Sequence, residues 1–506
     1  MNALGEIISI MSRDDKSAFI KHLNNKNKRK DTLNTDLFKL LETDDINIKK
    51  KLYGTSKNTD AYHALRKRVY DSLISFMANR SFESNTDDEH EITRLLMVSR
   101  VFFEYKLYKE AFKCLTKAES KAFATEHFSL LNEIYQTQIQ FAHFDPTFNL
   151  DKAIAGFTAN NKKLRNEEQL NLAYAVMRRE LGEIYHKGKI TDIQQLITGT
   201  MKSFGISLRE VLTFKSLYQM LFIANEYASI NSNYSLIEPF LERSYRFIIT
   251  RQELAQKHLY YHVYILYFMA NIHFRNRRFT LCSEYLQMMA SEMQKQNKKY
   301  YSRFIARYYL LYLLNQNYSG NGETTLAIMT KALAETKKAD PTDRNDLIFF
   351  AVIYWLQHNN AREARRYMRE FIHSDSWYEK RMGMDWAIKR SLVEIVMHTE
   401  LEDTELALSR LKGFKRRYKK YLREVNEERV MVYAALVEKY ILDKSVAQND
   451  TFKQQLDLLT QHAVNESGDV FVLSFIGWLL ATVHKKQVYP TILSLINNHF
   501  SPFHSA

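Results

Sequence analysis

Apolar positions recur three and four residues apart along almost the whole chain, the spacing of one face of an α-helix. In "DAYHALRKRVYDSLISFMANR" they are Tyr62, Leu65, Val69, Leu73 and Phe76. The same spacing runs through "RDDKSAFIKHLNN" and "TLNTDLFKLLET", which gives three amphipathic helices in the first 80 residues. The polar loops between them are "NKNKRKD" (25–31) and "YGTSKNTD" (53–60). "SFESNTDDEHE" (81–91) is polar and acidic and reads as a linker. Recurring along the chain, this helical spacing predicts an all-α protein.

Beyond the linker the helices come in pairs. "RLLMVSRVFFEYKLYKEAFKCLTKA" holds one helix, a break at Tyr105–Lys106, and a second helix that turns Ala111 inward. Equivalent second-helix positions follow at Ala153, Gln194, Ile237, Cys282, Thr325, Ala364 and Ala407, with successive spacings of 42, 41, 43, 45, 43, 39 and 43 residues. A two-helix unit repeated at that period predicts an α-α superhelix, a solenoid of stacked hairpins, because a lone hairpin has two apolar faces and only one partner for them. The expected organisation is a helical region at 1–80, a linker at 81–91, repeats over 92–430 and a helical capping region at 431–506. "VFVLSFIGWLLATVHKK" is apolar on nearly every side, as a buried terminal helix is, and Pro490 precedes a last helix in "TILSLINNHF".

The pairs resemble tetratricopeptide-type hairpins, most clearly in "LGEIY" (181–185) and "LYKEAFKCLTKA" (107–118). They depart from that family in their longer period, in the small first-helix residue (Gly182 in one unit, Ser99 and Ala270 in others) and in the proline missing from most units. The resemblance implies that first helices line a groove for an extended peptide or a partner helix. It places Arg100, Glu104, Arg179, Glu183, Tyr267, Asn271, Phe274, Arg275 and Arg307 there. Asn271 and Arg275 resemble part of the clamp with which some members hold a terminal carboxylate.

Composition narrows the function. With 13 Gly and 5 Pro in 506 residues, the chain lacks the turn residues that a sheet protein of this size uses. Two cysteines, Cys114 and Cys282, read as small buried hydrophobes rather than a disulfide framework. No apolar run is long enough to span a bilayer and no export signal opens the chain, which together predict a cytoplasmic protein without membrane insertion. No phosphate loop, dinucleotide fingerprint or nucleophile elbow occurs. His258 and His262 share a helix face, but Leu259 stands where a zinc protease has its glutamate, so no metal or other cofactor is expected. "HTELEDTEL" (398–406) reads as acids near a helix N-terminus.

The net charge is +14. Its densest expression is "RLKGFKRRYKKYLR" (410–423), with eight basic residues and no acid. Helical spacing sends Leu411, Phe414, Tyr418, Tyr421 and Leu422 to one face and Lys412, Arg416, Lys419 and Arg423 to the other, as a stripe for phosphates or as a solvated face. "FRNRRF" with "KQNKKYYSRFIARYY" is a second basic region, and "ALRKRVY" (64–70) has the place of a recognition helix. Three helices ahead of a repeat array also resemble, coarsely, the layout of peptide-responsive bacterial regulators. Two functions follow as expectations. One is a non-enzymatic scaffold that binds proteins or peptides. The other is a regulator associated with nucleic acid.

Overall fold

The computed structural model describes residues 3–11, 13–26, 32–42, 48–54, 59–84, 88–187, 193–206, 213–230, 245–247, 249–337, 339–425, 427–464 and 469–497. Among them there is no strand; the architecture is an all-α solenoid of adjacent helical pairs. The chain divides into two compact units, Met1–Asn161 and Lys162–Ala506.

The first unit opens with α1 (Ala3–Ile10), α2 (Arg13–Lys26), α3 (Leu33–Glu42), α4 (Ile48–Tyr53) and α5 (Thr59–Ser84). Phe19, Leu37, Phe38, Leu65, Val69 and Leu73 close a core of their own. α6 (Asp88–Glu104), α7 (Tyr108–Ala124) and α8 (Phe128–Phe141) follow. The supposed linker is largely helix: residues 81–84 complete α5 and residues 88–91 begin α6, with 85–87 outside the described residues. Its acids serve α6 rather than a flexible joint. Glu91 and Asp88 pair with Lys121 of α7.

α9 (Leu150–Lys187) is one helix of 38 residues. The sequence reading divided it into a second helix at 149–160 and a first helix near 179–187. Nothing in "NNKKLRNEEQL" stops a helix, because it holds neither Gly nor Pro, so the ladder of hydrogen bonds runs on. α10 (Ile193–Ser203) and α11 (Phe214–Ile230) come next. The expected unit around Ile237 lies outside the described residues, as does the side chain of Gln194.

The rest of the second unit is α12 (Gln252–Lys257), α13 (Leu259–Arg275), α14 (Phe279–Met293), α15 (Lys295–Lys298), α16 (Tyr301–Tyr318), α17 (Gly322–Glu335), α18 (Pro341–Gln357), α19 (Ala361–Met368), α20 (Asp375–Met382), α21 (Met384–Glu400), α22 (Thr404–Glu424), α23 (Glu428–Leu442), α24 (Asp450–His462), α25 (Val470–Val483) and α26 (Val488–Asn497). α13, α16, α18 and α21 are first helices, paired with α14, α17, α19 and α22, and α13, α16 and α18 each also pack on the next first helix. That position makes them buried on consecutive residues, as at Val263–Leu266 and Leu347–Val352. The second helices have one buried stripe instead, such as Leu411, Phe414, Tyr418 and Leu422 on α22.

Of the equivalent second-helix positions, Ala111, Ala153, Cys282, Thr325, Ala364 and Ala407 are all 5% exposed or less. One smaller expectation fails: Cys114 is only half-buried. Among the described residues, a Cβ on Gly182 would meet nothing within 4 Å.

Glycine is scarce because most turns do without it. Lys106, Glu126, Arg277, Asn359, Glu402 and Lys485 all take positive φ just past a helix end. The next residue's N–H then bonds back across the last turn: Leu107 to the Phe102 carbonyl at 2.8 Å, Arg278 to His273 at 2.8 Å and Asn360 to Trp355 at 2.8 Å. This is a Schellman closure, for which glycine is the unstrained residue. Lys106→Gly is therefore expected to stabilise the chain by about 0.5–1 kcal/mol in denaturant unfolding. Gly477 is under a different constraint. On it a Cβ would lie 2.6 Å from Cγ1 and 3.2 Å from Cα of Ile492, so Gly477→Ala should cost about 1–3 kcal/mol in the same measurement.

Candidate functional site

A first helix offers its polar side chains little solvent, so bonding to a neighbour is favoured, although the Trp355 indole N–H of α18 has no hydrogen-bond partner among the described residues. The first helices bond to one another. Lys215 of α11 meets Glu167 of α9 at 2.5 Å, and Gln219 donates to Asn171 at 2.9 Å. Asn271 of α13 donates to Asn225 of α11 at 2.8 Å. Arg307 of α16 spans both neighbours: it donates to the hydroxyl of Tyr264 on α13 and to both oxygens of Asp343 on α18, at 3.0 and 3.2 Å. Asn317 donates to Gln357 at 2.7 Å, and the Trp386 indole of α21 to Asp346 of α18 at 2.9 Å. The result is a continuous line of polar contacts from α9 to α21.

Burial and neighbouring charges shift several groups at its centre. Burial works against the charge on Arg307, but Asp343, Tyr264 and Tyr267 more than offset it and keep the guanidinium protonated. Burial also raises Asp343 in spite of that arginine. Burial pushes the Tyr267 hydroxyl up to about 12. Asp346 is raised to about 7, again by burial, with the Trp386 hydrogen bond opposing. No cation forms an ion pair with Asp346 among the described residues, while its neighbour Asp343 has Arg307. Asp346 is thus an enclosed, half-buried carboxyl with capacity to accept further hydrogen bonds.

The ends of the same four first helices hold a helix from the C-terminal part of the chain. Asp469 caps α25, accepting from the N–H of Phe471 at 2.8 Å, and pairs with Arg275 of α13 at 2.6 Å. Burial raises Asp469, but Arg275, Lys389 and the two cap N–H groups win and hold it ionised. Arg275 and Lys389 both lie over the Phe471 ring, at 5.1 and 5.5 Å. Ser474 shares hydrogen bonds with Tyr318 of α16 at 2.8 Å and Gln357 of α18 at 3.3 Å. Trp478 donates to Glu400 of α21 at 2.7 Å. Beneath α25 and α26, an apolar cavity of about 40 Å³ is lined by Ile353, Leu356, Val393, Val396 and Phe475 among others.

The sequence-derived groove residues divide. Arg307 and Arg275 both act electrostatically on the Tyr267 hydroxyl, and Asn271 belongs to the line of interhelical contacts. Phe274 does not belong with them: it is fully buried between Phe279 and Tyr318 and presents nothing to a partner. Arg100 and Glu104 belong to the other unit, where Arg100 pairs with Glu133 at 3.0 Å. Arg179 is exposed and pairs with its neighbour Glu180, at 3.4 Å. The residue that packs on the next first helix is Arg178, 5.1 Å above the Phe222 ring, so the expected register is off by one. Glu183 is half-buried. Asp343, Asp346, Lys389, Trp386 and Asp469 were missed. Asp343 stands in the first turn of α18 and Asp469 caps α25, positions that local preference alone explains, while Asp346 lies a turn further in.

Elsewhere, Lys412, Arg416, Lys419 and Arg423 are all exposed on α22. The second basic region is spent on packing: Arg277 donates to the Ile496 carbonyl at 3.3 Å and Arg303 lies 5.0 Å over Tyr260. "ALRKRVY" lies in α5 with Leu65 and Val69 buried. His262 finds an acid that the sequence did not suggest, Glu292 at 3.5 Å. Among the described residues no three His, Cys, Asp or Glu side chains group to hold a metal, and no helix is long and apolar enough to cross a membrane. No known family model and no curated protein matches the sequence.

The raised Asp346 has a signed consequence. Between about pH 4 and pH 7 the folded chain keeps a proton that the unfolded chain has lost. This group's contribution to stability therefore falls as pH rises through that window. Asp346→Asn keeps an acceptor for Trp386 and cannot ionise. Its denaturation midpoint should exceed that of the natural chain at pH 8, and the gap should shrink at pH 5.

Proposed function

We propose that this chain is a non-enzymatic, tetratricopeptide-like interaction scaffold of the cytoplasm, which holds a partner helix or extended peptide on the surface of its first helices. One observation carries the reading. Four first helices each give a side chain (Arg275, Tyr318, Gln357 and Glu400) to grip α25, a helix with an acidic cap and an aromatic face. A surface that holds one helix by an end charge, hydroxyls and an indole acceptor has the chemistry to hold another. Tyr267, Arg307, Asp343 and Asp346 extend that surface with groups that are half-buried yet reachable. The buried second-helix positions support the repeat likeness.

The partner suited to Asp346 carries a lysine, arginine or amine, since that carboxyl is half-buried and forms no ion pair among the described residues. Affinity would come from that pair and from aromatic contact with Tyr267 and Trp386.

The test is a photo-crosslinking amino acid placed at Tyr267, with Tyr105 (exposed, on the first unit) as control. The expected result is a discrete protein adduct at Tyr267 that is absent from Tyr105 and lost when Asp346→Lys is added. The same adducts at both positions, or adducts indifferent to Asp346→Lys, would contradict the proposal.

A further inference from the structure

The eight cations of α22 are not equivalent. Five have a carboxylate within reach: Arg410 with Glu394 at 3.1 Å, Lys415 with Glu438, Arg417 with Glu379 at 2.5 Å, Lys420 with Glu424 at 3.8 Å and Arg423 with Glu428 at 3.5 Å. Lys412, Arg416 and Lys419 have none among the described residues. Those three are spaced by four and three residues, which on an α-helix is one line. Arg423 continues it another four residues on, in a pair whose two members are each 68% exposed and so easily exchanged. The line covers about 16 Å at a helical rise of about 1.5 Å per residue.

Its surroundings select the ligand. Leu411, Phe414, Tyr418 and Leu422 are buried on the opposite face, so the helix is fixed and its cations point outward. Ser409 and Gly413 beside the line add no bulk and no acid. The exposed large apolar side chain of α22 is Leu406, six residues before Lys412. A bilayer surface calls for an apolar face to bury, and single-stranded nucleic acid for exposed aromatic rings on which bases stack. This face supplies neither. It supplies a rigid row of charge, which is what a duplex backbone takes up.

We infer that the Lys412–Arg416–Lys419–Arg423 face of α22 binds the phosphodiester backbone of a nucleic-acid duplex, without reading its sequence. The site is separate from the first-helix surface and does not depend on it. Each cation displaces counterions from the duplex, so four contacts give a log–log salt slope of about −3.6.

The experiment uses the full chain and two fluorescent 20-base-pair duplexes, one DNA and one RNA, titrated by anisotropy between about 50 and 200 mM salt. Affinity for at least one duplex should fall roughly a hundredfold across that range. The comparison of DNA with RNA identifies the natural source of the backbone. Lys412→Glu, Arg416→Glu and Lys419→Glu together should abolish binding with an unchanged circular dichroism spectrum, because all three side chains are exposed. A control with the same charge change at exposed Lys109, Lys152 and Lys202 should still bind. Three results overturn the inference: neither duplex binds at the low-salt end, the control loses binding as the triple variant does, or the chain binds phosphatidylserine vesicles and no duplex.

Discussion

The structure rests on one constraint: a first helix lies between its own second helix and the next first helix, and has almost no face left for water. Its apolar residues can then be consecutive, as at Val263–Leu266. Leaving a buried polar group there unpaired costs about 1–3 kcal/mol, which favours partners on the neighbouring helices. The contacts Glu167–Lys215, Asn171–Gln219, Asn225–Asn271, Tyr264–Arg307–Asp343 and Asp346–Trp386 answer that demand. They also fix which residue of one helix faces which of the next, a register that apolar packing alone specifies weakly. Small side chains at Ala364 and Ala407 let the second helices close in.

The same constraint makes the candidate site. Arg307 and Asp343 serve the stacking of α16 on α18, and the burial that raises Asp343 also encloses Asp346. The site's polarity is thus an outgrowth of the interhelical contacts. At the helix ends, Arg275, Tyr318, Gln357 and Glu400 each bond to a residue of α25 or its cap. Gly477, pressed on Ile492, lets α26 lie close to α25.

Local periodicity made the helices and their buried stripes legible. The stripe of α22 was readable residue by residue, and spacing alone found Ala111, Cys282, Thr325, Ala364 and Ala407 as inward positions. Reading failed where a property is long-range or depends on a single position. The polar stretch at 81–91 looked like a linker, but its acids answer Lys121 some thirty residues later. α9 was divided because the repeat period called for a turn there, although no residue breaks the helix. Arg179 was chosen over Arg178 because one residue turns a helical side chain by about 100°. Asp343 stands in a first turn, Asp346 a turn further in and Asp469 at a cap, and nothing local marks any of them as a long-range partner. Their partners Arg307, Trp386 and Arg275 stand 36, 40 and 194 residues away.

The claim that first helices are held by each other is most directly tested by native-state hydrogen exchange. Amides in the middle of α13, α16, α18 and α21 should exchange at one common, slow level set by unfolding of the second unit as a whole. The exposed face of α22 and the end of α26 should exchange through smaller openings. First helices that exchange at unrelated levels, or as fast as the second helices outside them, would contradict the account.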